Sequence, residues 1–222
     1  MENYQICGFL CGICNEPAKG QADSENCIEL SEEGIVFCEG TGEDDGLGKI
    51  ASELSGWEST RLLRSGSSAK DSFLGGEELL SKVNELAPMG ESSLCIAHLK
   101  GDGRIDLCAA AGIHSVLVTQ DNVTPIGFRD EDADLPDSDM PDEEKKMHKK
   151  MGFHTRSMQL QANEFFCIVN DKIWCTIPLS SIAYACANND GDTQKIAQEI
   201  VDLSRSYGES GVLSVVVLKR DA

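Results

Sequence analysis

The apolar residues of this chain fall into two patterns. Six short runs are rich in β-branched or aromatic residues and end in turn formers, which predicts strands: "GIVFCE" (34–39), "SSLCIAHL" (92–99), "RIDLCAAA" (104–111), "HSVLVTQ" (114–120), "NEFFCIVN" (163–170) and "GVLSVVVLK" (211–219). The Asp-Gly of "KGDGR", between the second and third runs, predicts a hairpin and hence antiparallel pairing. The unbroken "LSVVVL" at 213–218 suits a central strand covered on both faces.

Three other stretches repeat at helical spacing. Leu47, Ile50, Ala51, Leu54 and Trp57 share one helix face, and Leu79, Leu80, Val83 and Leu86 share another. Ile196, Ile200, Leu203 and Tyr207 form the third stripe, with Asp192 or Thr193 as its N-cap. Strands grouped as hairpins, with helices between the groups, predict an α+β protein rather than alternating β–α units.

Composition narrows the setting. The 222 residues are 41% hydrophobic, enough for a substantial core without disulfide or metal staples, and we read 1–222 as one domain. No apolar run reaches the ~18–20 residues of a membrane span, and the N-terminus lacks a basic region followed by a long apolar one, so a soluble, intracellular, cytoplasmic protein is expected. Most of the ten cysteines lie inside apolar runs, where a reduced thiol behaves as a small hydrophobe. The formal charge of −19 disfavours nucleic acid and anionic membrane as partners and is compatible with a basic protein partner or with a purely solubilising role. "DEDADLPDSDMPDEE" (130–144) holds nine acidic residues in fifteen and reads as an exposed loop insertion, followed by the basic "KKMHKKMGFHTR" (145–156).

Candidate chemistry begins near the N-terminus. Cys7, Cys11 and Cys14 in "CGFLCGIC" have a C-x3-C-x2-C spacing that resembles the cluster loop of the radical-SAM iron–sulfur enzymes, and "GGE" (75–77) is also found there. Cluster ligation needs three thiolates converging from one loop. "QICGFLCGIC" instead reads as a first strand with its cysteines on alternating faces, and "GGEELL" reads as the start of an amphipathic helix. We therefore expect no cluster.

The order of the elements resembles the metal-dependent PPM (PP2C-type) protein phosphatases over nearly the whole chain. "SENCIEL…EGIVFCEGTGE" is similar to that family's opening, an Asn-Glu-Asp start and a strand ending in Asp-Gly. "GESSLCIAHLKGDGRIDLCAAAGIHSVLV" is similar to its central hairpin with a Gly-Asp-Ser motif, "NEFFCIVNDKIWCTIPLSSI" to the strand ending in Ser-Asp-Gly, and "AQEIVDLSRSYGESGVLSVVVLK" to the closing helix and strand with an Arg-Asp-Asn motif. The resemblance implies a four-layer αββα sandwich of two antiparallel sheets flanked by helices. It also implies a site in which aspartates at strand ends hold two Mg2+ or Mn2+ ions for hydrolysis of phosphoserine or phosphothreonine.

Residue by residue, the resemblance implies that most of this site is replaced. The bridging aspartate is matched by Glu39, followed by Gly40, whose carbonyl remains available. Glu25 matches the glutamate of the opening motif, with Asn26 after it. Asp171 matches a retained aspartate but is followed by Lys172. Gly211 and Ile113 take the places of two further aspartates, with Glu209 close to the first, and Gln21 takes the place of the phosphate-gripping arginine. His98 and His114 read as ordinary core or cleft residues, His148 and His154 as solvated, and neither Ser210 nor Ser214 has the His–Asp pattern of a nucleophile. The implied protein is a pseudophosphatase with no catalytic residues, no metal and no cofactor. It would bind a partner that is basic or belongs to a kinase, phosphatase-pathway or cytoskeletal assembly. The rival is a weak Mn2+- or Mg2+-dependent Ser/Thr phosphatase using Glu39, Gly40, Asp171 and Glu209.

Overall fold

The computed structural model describes residues 3–42, 47–64, 90–109, 112–126 and 154–221. The predicted Leu79–Leu86 stripe, the "GGE" tripeptide, the acidic 130–144 segment and His148 lie outside these residues. The strands are β1 (Tyr4–Ile6), β2 (Phe9–Glu16), β3 (Cys27–Ser31), β4 (Gly34–Gly42), β5 (Gly90–Leu99), β6 (Arg104–Ala109), β7 (Ile113–Val118), β8 (Val123–Pro125), β9 (His154–Gln159), β10 (Phe165–Asn170) and β11 (Leu213–Arg220). The helices are α1 (Leu47–Arg64), α2 (Asp171–Thr176), α3 (Leu179–Asn188) and α4 (Thr193–Ser206).

Among the described residues every strand pairing is antiparallel. One sheet has the order β1-β2-β11-β10-β7-β8 and the other β3-β4-β5-β6-β9. The alternation of side chains along each strand separates two apolar layers. Phe9, Cys11, Ile35, Phe37, Leu99, Leu107, Phe166, Ile168, Val216 and Leu218 pack between the sheets. Cys14, Cys167, Val169, Val215 and Val217 point the other way, onto Ile182 of α3 and Ile196 and Ile200 of α4. With α1 packed on the outside of the second sheet, the layers run α, β, β, α. The predicted strand at 213–218 is buried along its length, third of six in its sheet. No helix among the described residues is long and apolar enough to cross a membrane.

Two local expectations are corrected. "QICGFLCGIC" is not one strand but a hairpin. Cys7 (φ 49°) and Gly8 (φ 78°) both take positive φ, the conformation of a tight turn between paired strands, and this turn connects β1 to β2. Cys7 therefore sits in the turn, Cys11 between the sheets and Cys14 beneath α4, so the three sulfurs point into different environments. Burial pushes the Cys11 and Cys14 thiols up to about 12, and all ten cysteines are free.

The second correction concerns α1. The face shared by Ile50, Leu54 and Trp57 does not enter the core: Ile50 is 50% and Trp57 65% exposed. The helix instead rests on the sheet through Gly48, Ala51, Ser52, Ser55, Gly56 and Ser59, all buried. Small residues let the helix backbone come close to the sheet, and that closeness determined the buried face against the apolar stripe. In the closing helix Asp192 is the N-cap, accepting from the Lys195 amide, and Ile196 and Ile200 are buried while Tyr207 is exposed.

Candidate functional site

At one end of the sandwich the inward-facing positions change from apolar to polar. Beyond Ile13 on β2 comes Asn15, beyond Phe37 on β4 Glu39, and beyond Ile168 on β10 Asn170. Before Val216 on β11 comes Ser214, and before Cys95 on β5 comes Ser93. Strand period alone places these side chains in one layer at the mouth of the cleft between the sheets.

Asn15, Glu39, Asn170 and Ser214, joined by Asn26, form a hydrogen-bonded network that ties the two sheets together. Asn170, fully buried, donates from Nδ2 to Glu39 Oε1 at 3.1 Å and to the Val212 carbonyl at 3.0 Å. Its Oδ1 accepts from the Ser214 amide at 3.2 Å. Ser214 Oγ donates to Asn15 Oδ1 at 2.6 Å and accepts from Asn26 Nδ2 at 2.8 Å. Asn26 Oδ1 accepts from the Gly40 amide at 3.2 Å, and Asn15 Nδ2 donates to the Asn26 carbonyl at 3.0 Å. Both hydrogen-bonding ends of each of the three asparagine amides are in use.

Glu39 is the one acid in this layer and is only 8% exposed. Burial raises its pKa. The Asn170 amide, the backbone N–H of Asp171 and the charge of Lys172 pull it back, while the charge of Asp171 adds to the rise. Gly112 leaves the space beside it: a Cβ there would lie 2.6 Å from Ser93 Oγ and 3.3 Å from Glu39 Oε2.

Asp171 meets Glu39 through its backbone, but its carboxylate turns away. Its Oδ1 lies 3.2 Å from His114 Nε2 and accepts from Cys175 Sγ at 3.6 Å. The His114 ring stacks on Trp174 with centroids 4.6 Å apart. Lys172 stands beside Gly211, where a Cβ would lie 3.6 Å from its Cδ, and its charge acts on both Glu39 and Glu209. Glu209 is folded onto its own loop. Its Oε1 accepts from the Gly211 amide at 2.7 Å and the Ser210 amide at 2.9 Å, and its Oε2 accepts from Thr176 Oγ1 at 3.2 Å, which holds its carboxyl below the usual range.

The other predicted positions are scattered around this layer. Ile113 is buried opposite Asn170 in the β7–β10 register. Gly40 is pressed against the start of α1, where a Cβ would meet the Gly48 carbonyl at 2.1 Å and the Glu25 carbonyl at 2.7 Å. The Glu25 carbonyl also accepts from Ser52 Oγ. Gln21 is exposed on the rim of a groove of about 530 Å³ that Lys19, Arg205, Glu209 and Ser210 also line. Arg205 clamps the loops there, donating to the Glu209, Gly211 and Pro17 carbonyls at 3.1, 2.7 and 2.8 Å. His98 is buried on the outer face of its sheet, far along the strand from this layer, and Ser210 is exposed. The side chain of His154, at the start of β9, lies outside the described residues.

The sequence reading passed over Asn15, Ser93, Asn170 and Trp174. The signal was the strand period, carried one position past the last apolar residue of each strand.

Similarity to solved structures identifies the fold. No protein-family model and no curated protein matches the sequence. The serine/threonine phosphatase PstP of Mycobacterium tuberculosis superposes over 96% of this chain and 99% of its own, with a TM-score of 0.73 and 14% identity. The serine/threonine phosphatase of S. agalactiae superposes over 95% and 99%, with a TM-score of 0.74 and 15% identity. The fold is that of the PP2C-type phosphatases. The photosystem II phosphatase PBCP shares it as well, at a TM-score of 0.69 and 13% identity over 96% of this chain and 98% of its own.

One PstP catalytic domain with this PP2C fold was solved in complex with two manganese ions. The polar layer of the present chain does not fit such a pair. Hard divalent ions need several oxygen donors, most of them anionic. Here Ile113 and Gly211 offer no side-chain oxygen, the carboxamide oxygens of Asn26 and Asn170 are taken by backbone amides and that of Asn15 by the Ser214 and Ser24 hydroxyls, and Glu209 is committed to its loop. The Lys172 charge acts on Glu39 and Glu209. Among the described residues no three His, Cys, Asp or Glu side chains are arranged to hold a metal ion.

Proposed function

We propose that this chain is a catalytically silent PP2C-fold protein, a pseudophosphatase that works by binding other proteins. The observation that carries the reading is the neutral Asn15–Asn26–Ser214–Asn170 network, which occupies the layer where the resemblance implies metal-bound carboxylates. A phosphatase of this fold needs the ions to generate its nucleophile and to neutralise the phosphate. In this chain amides and one buried acid close the cleft instead, and they cross-link the sheets without any ion.

The partner we propose is a basic segment of a kinase, phosphatase-pathway or cytoskeletal protein. Asp171 lies exposed at the rim and the chain carries −19 overall, so a cationic segment would be steered toward it at a rate that falls with added salt. A phosphorylated segment would be repelled.

The test is hydrolysis of p-nitrophenyl phosphate and of a phosphothreonine peptide in Mn2+. The reading expects rates at background for the native protein and for Asp171→Ala alike. Mn2+-dependent turnover abolished by Asp171→Ala would replace it with the weak-phosphatase rival.

A further inference from the structure

We infer that Cys27 and Cys38 are a redox modification site, closing a reversible disulfide across β3 and β4 when a small-molecule disulfide such as glutathione disulfide oxidises them. The observation is one of register. Cys27 of β3 and Cys38 of β4 stand directly opposite each other in an antiparallel pair, and both thiols are free. Opposed residues of such a pair have Cα atoms about 4.5–5.5 Å apart, inside the roughly 4.4–6.8 Å that a disulfide spans. Their Cβ atoms need to close by about 1 Å, an adjustment that makes the cross-link reducible rather than permanent.

Both side chains lie on the face of the sheet that α1 covers. Phe37, beside Cys38, faces the inter-sheet core, so Cys38 faces outward, and a Cβ on Gly56 of α1 would lie 2.7 Å from Cys27 Sγ. Cys38 is fully buried and Cys27 half-buried, so an oxidant meets Cys27 first. Cys167 and Cys186 also share a hydrogen bond, but both are buried beneath α3 and out of an oxidant's reach. The position beside the cleft gives the bond its consequence. Asn26, which precedes Cys27, accepts from the Gly40 amide and donates to Ser214, and Glu39, which follows Cys38, accepts from Asn170. The disulfide would staple the two strands one residue from the polar layer. The inference does not depend on the proposed function.

The exchange balances in two steps. The Cys27 thiolate attacks one sulfur of glutathione disulfide, whose S–S bond breaks, and one glutathione thiolate leaves. The Cys38 thiolate then attacks the Cys27 sulfur, the mixed S–S bond breaks, and the second glutathione leaves. The two protons given up by the protein end on two glutathione thiols, and the two electrons reduce the glutathione disulfide. Only the thiolate attacks, so the reaction is slow while Cys27 stays protonated. Burial, and then the charges of Glu29 and Glu53, push its thiol up to about 12, and its Sγ donates to Glu29 Oε1 at 3.8 Å.

The test equilibrates the full chain in glutathione buffers of rising oxidised fraction, at several pH values between about 7 and 9. Acid quenching, alkylation and peptide mapping then read every cysteine. A peptide pair linked through Cys27 and Cys38 is expected, growing with the oxidised fraction and lost in dithiothreitol. It should form about ten-fold faster for each unit of pH, because the thiolate fraction rises so far below the pKa. Cys38→Ser should leave Cys27 as a mixed disulfide with glutathione, and Cys27→Ser should leave Cys38 reduced. Circular dichroism checks that both variants are folded. Two thiols that stay reduced in oxidised glutathione at every pH would overturn the inference. So would a native chain that stops at the Cys27–glutathione mixed disulfide, or one in which Cys27 is linked to another cysteine.

Discussion

Asn170 occupies the central position of the polar layer, because its one side chain bonds a carboxylate of β4 and a carbonyl and an amide at the start of β11. Replacing it with alanine leaves Glu39 Oε1, the Val212 carbonyl and the Ser214 amide without that partner in a buried place. We expect Asn170→Ala to cost roughly 2–3 kcal/mol in chemical denaturation. A loss well under 1 kcal/mol would mean that the network adds little to holding the sheets. Glu39 makes a second prediction at this scale. Its pKa is raised in the folded protein, so folding binds its proton more tightly than the unfolded chain does. Its contribution is most favourable below the unfolded value near ~4.3 and is lost as pH rises through that value toward the raised folded one. Melting temperature followed across pH should show this decline in the native protein, and Glu39→Gln should flatten it and melt higher at neutral pH. An unchanged profile would mean that Glu39 is solvated in solution.

At the scale of elements, α1 and α4 each sit close to their sheet at a glycine. A Cβ on Gly12 of β2 would lie 2.1 Å from the Thr193 carbonyl at the start of α4, so Gly12→Ala must push the helix outward. Gln194, which bonds the Ile13 amide and carbonyl, would move with it. We expect about 1–3 kcal/mol of destabilisation, read as a lower denaturant midpoint, with the inter-sheet core undisturbed. The same closeness explains what the sequence pattern conveyed and what it did not. The long strands β4, β5, β7, β10 and β11 were legible because each crosses a layer of apolar residues. The short edge strands β1, β3, β8 and β9 carry too few apolar positions to stand out. The α1 helix was found but its orientation was misjudged, since an apolar stripe predicts a buried face only where side chains, not backbone approach, determine the packing. The Cys7–Gly8 turn was missed because cysteine is an unusual residue at positive φ.

At the scale of the whole molecule, the layer order and the PP2C fold were readable from the succession of degenerate blocks. The expectation that aspartates are replaced rests on that resemblance alone. The amide network was not, because neutral asparagine and serine side chains leave no motif. They acquire meaning only when strand period and sheet pairing bring Asn15, Asn26, Asn170 and Ser214, far apart in sequence, within hydrogen-bonding distance. On the proposed reading the fold should be independent of divalent ions. Adding EDTA should leave the melting temperature where it was, whereas a drop of several degrees would reveal an ion that supports the structure.

The central claim, that this cleft has exchanged a dinuclear metal centre for a neutral amide layer, is tested most directly by calorimetric titration of Mn2+ into the full chain at neutral pH. The native protein should give no saturable heat up to millimolar Mn2+, on the order of the weakest biological sites. The triple variant Glu39→Asp, Ile113→Asp, Gly211→Asp should begin to bind, since it adds two carboxylates to the mouth of the cleft and shortens a third. Saturable binding of two ions per native chain, lost in Asp171→Ala, would contradict the account.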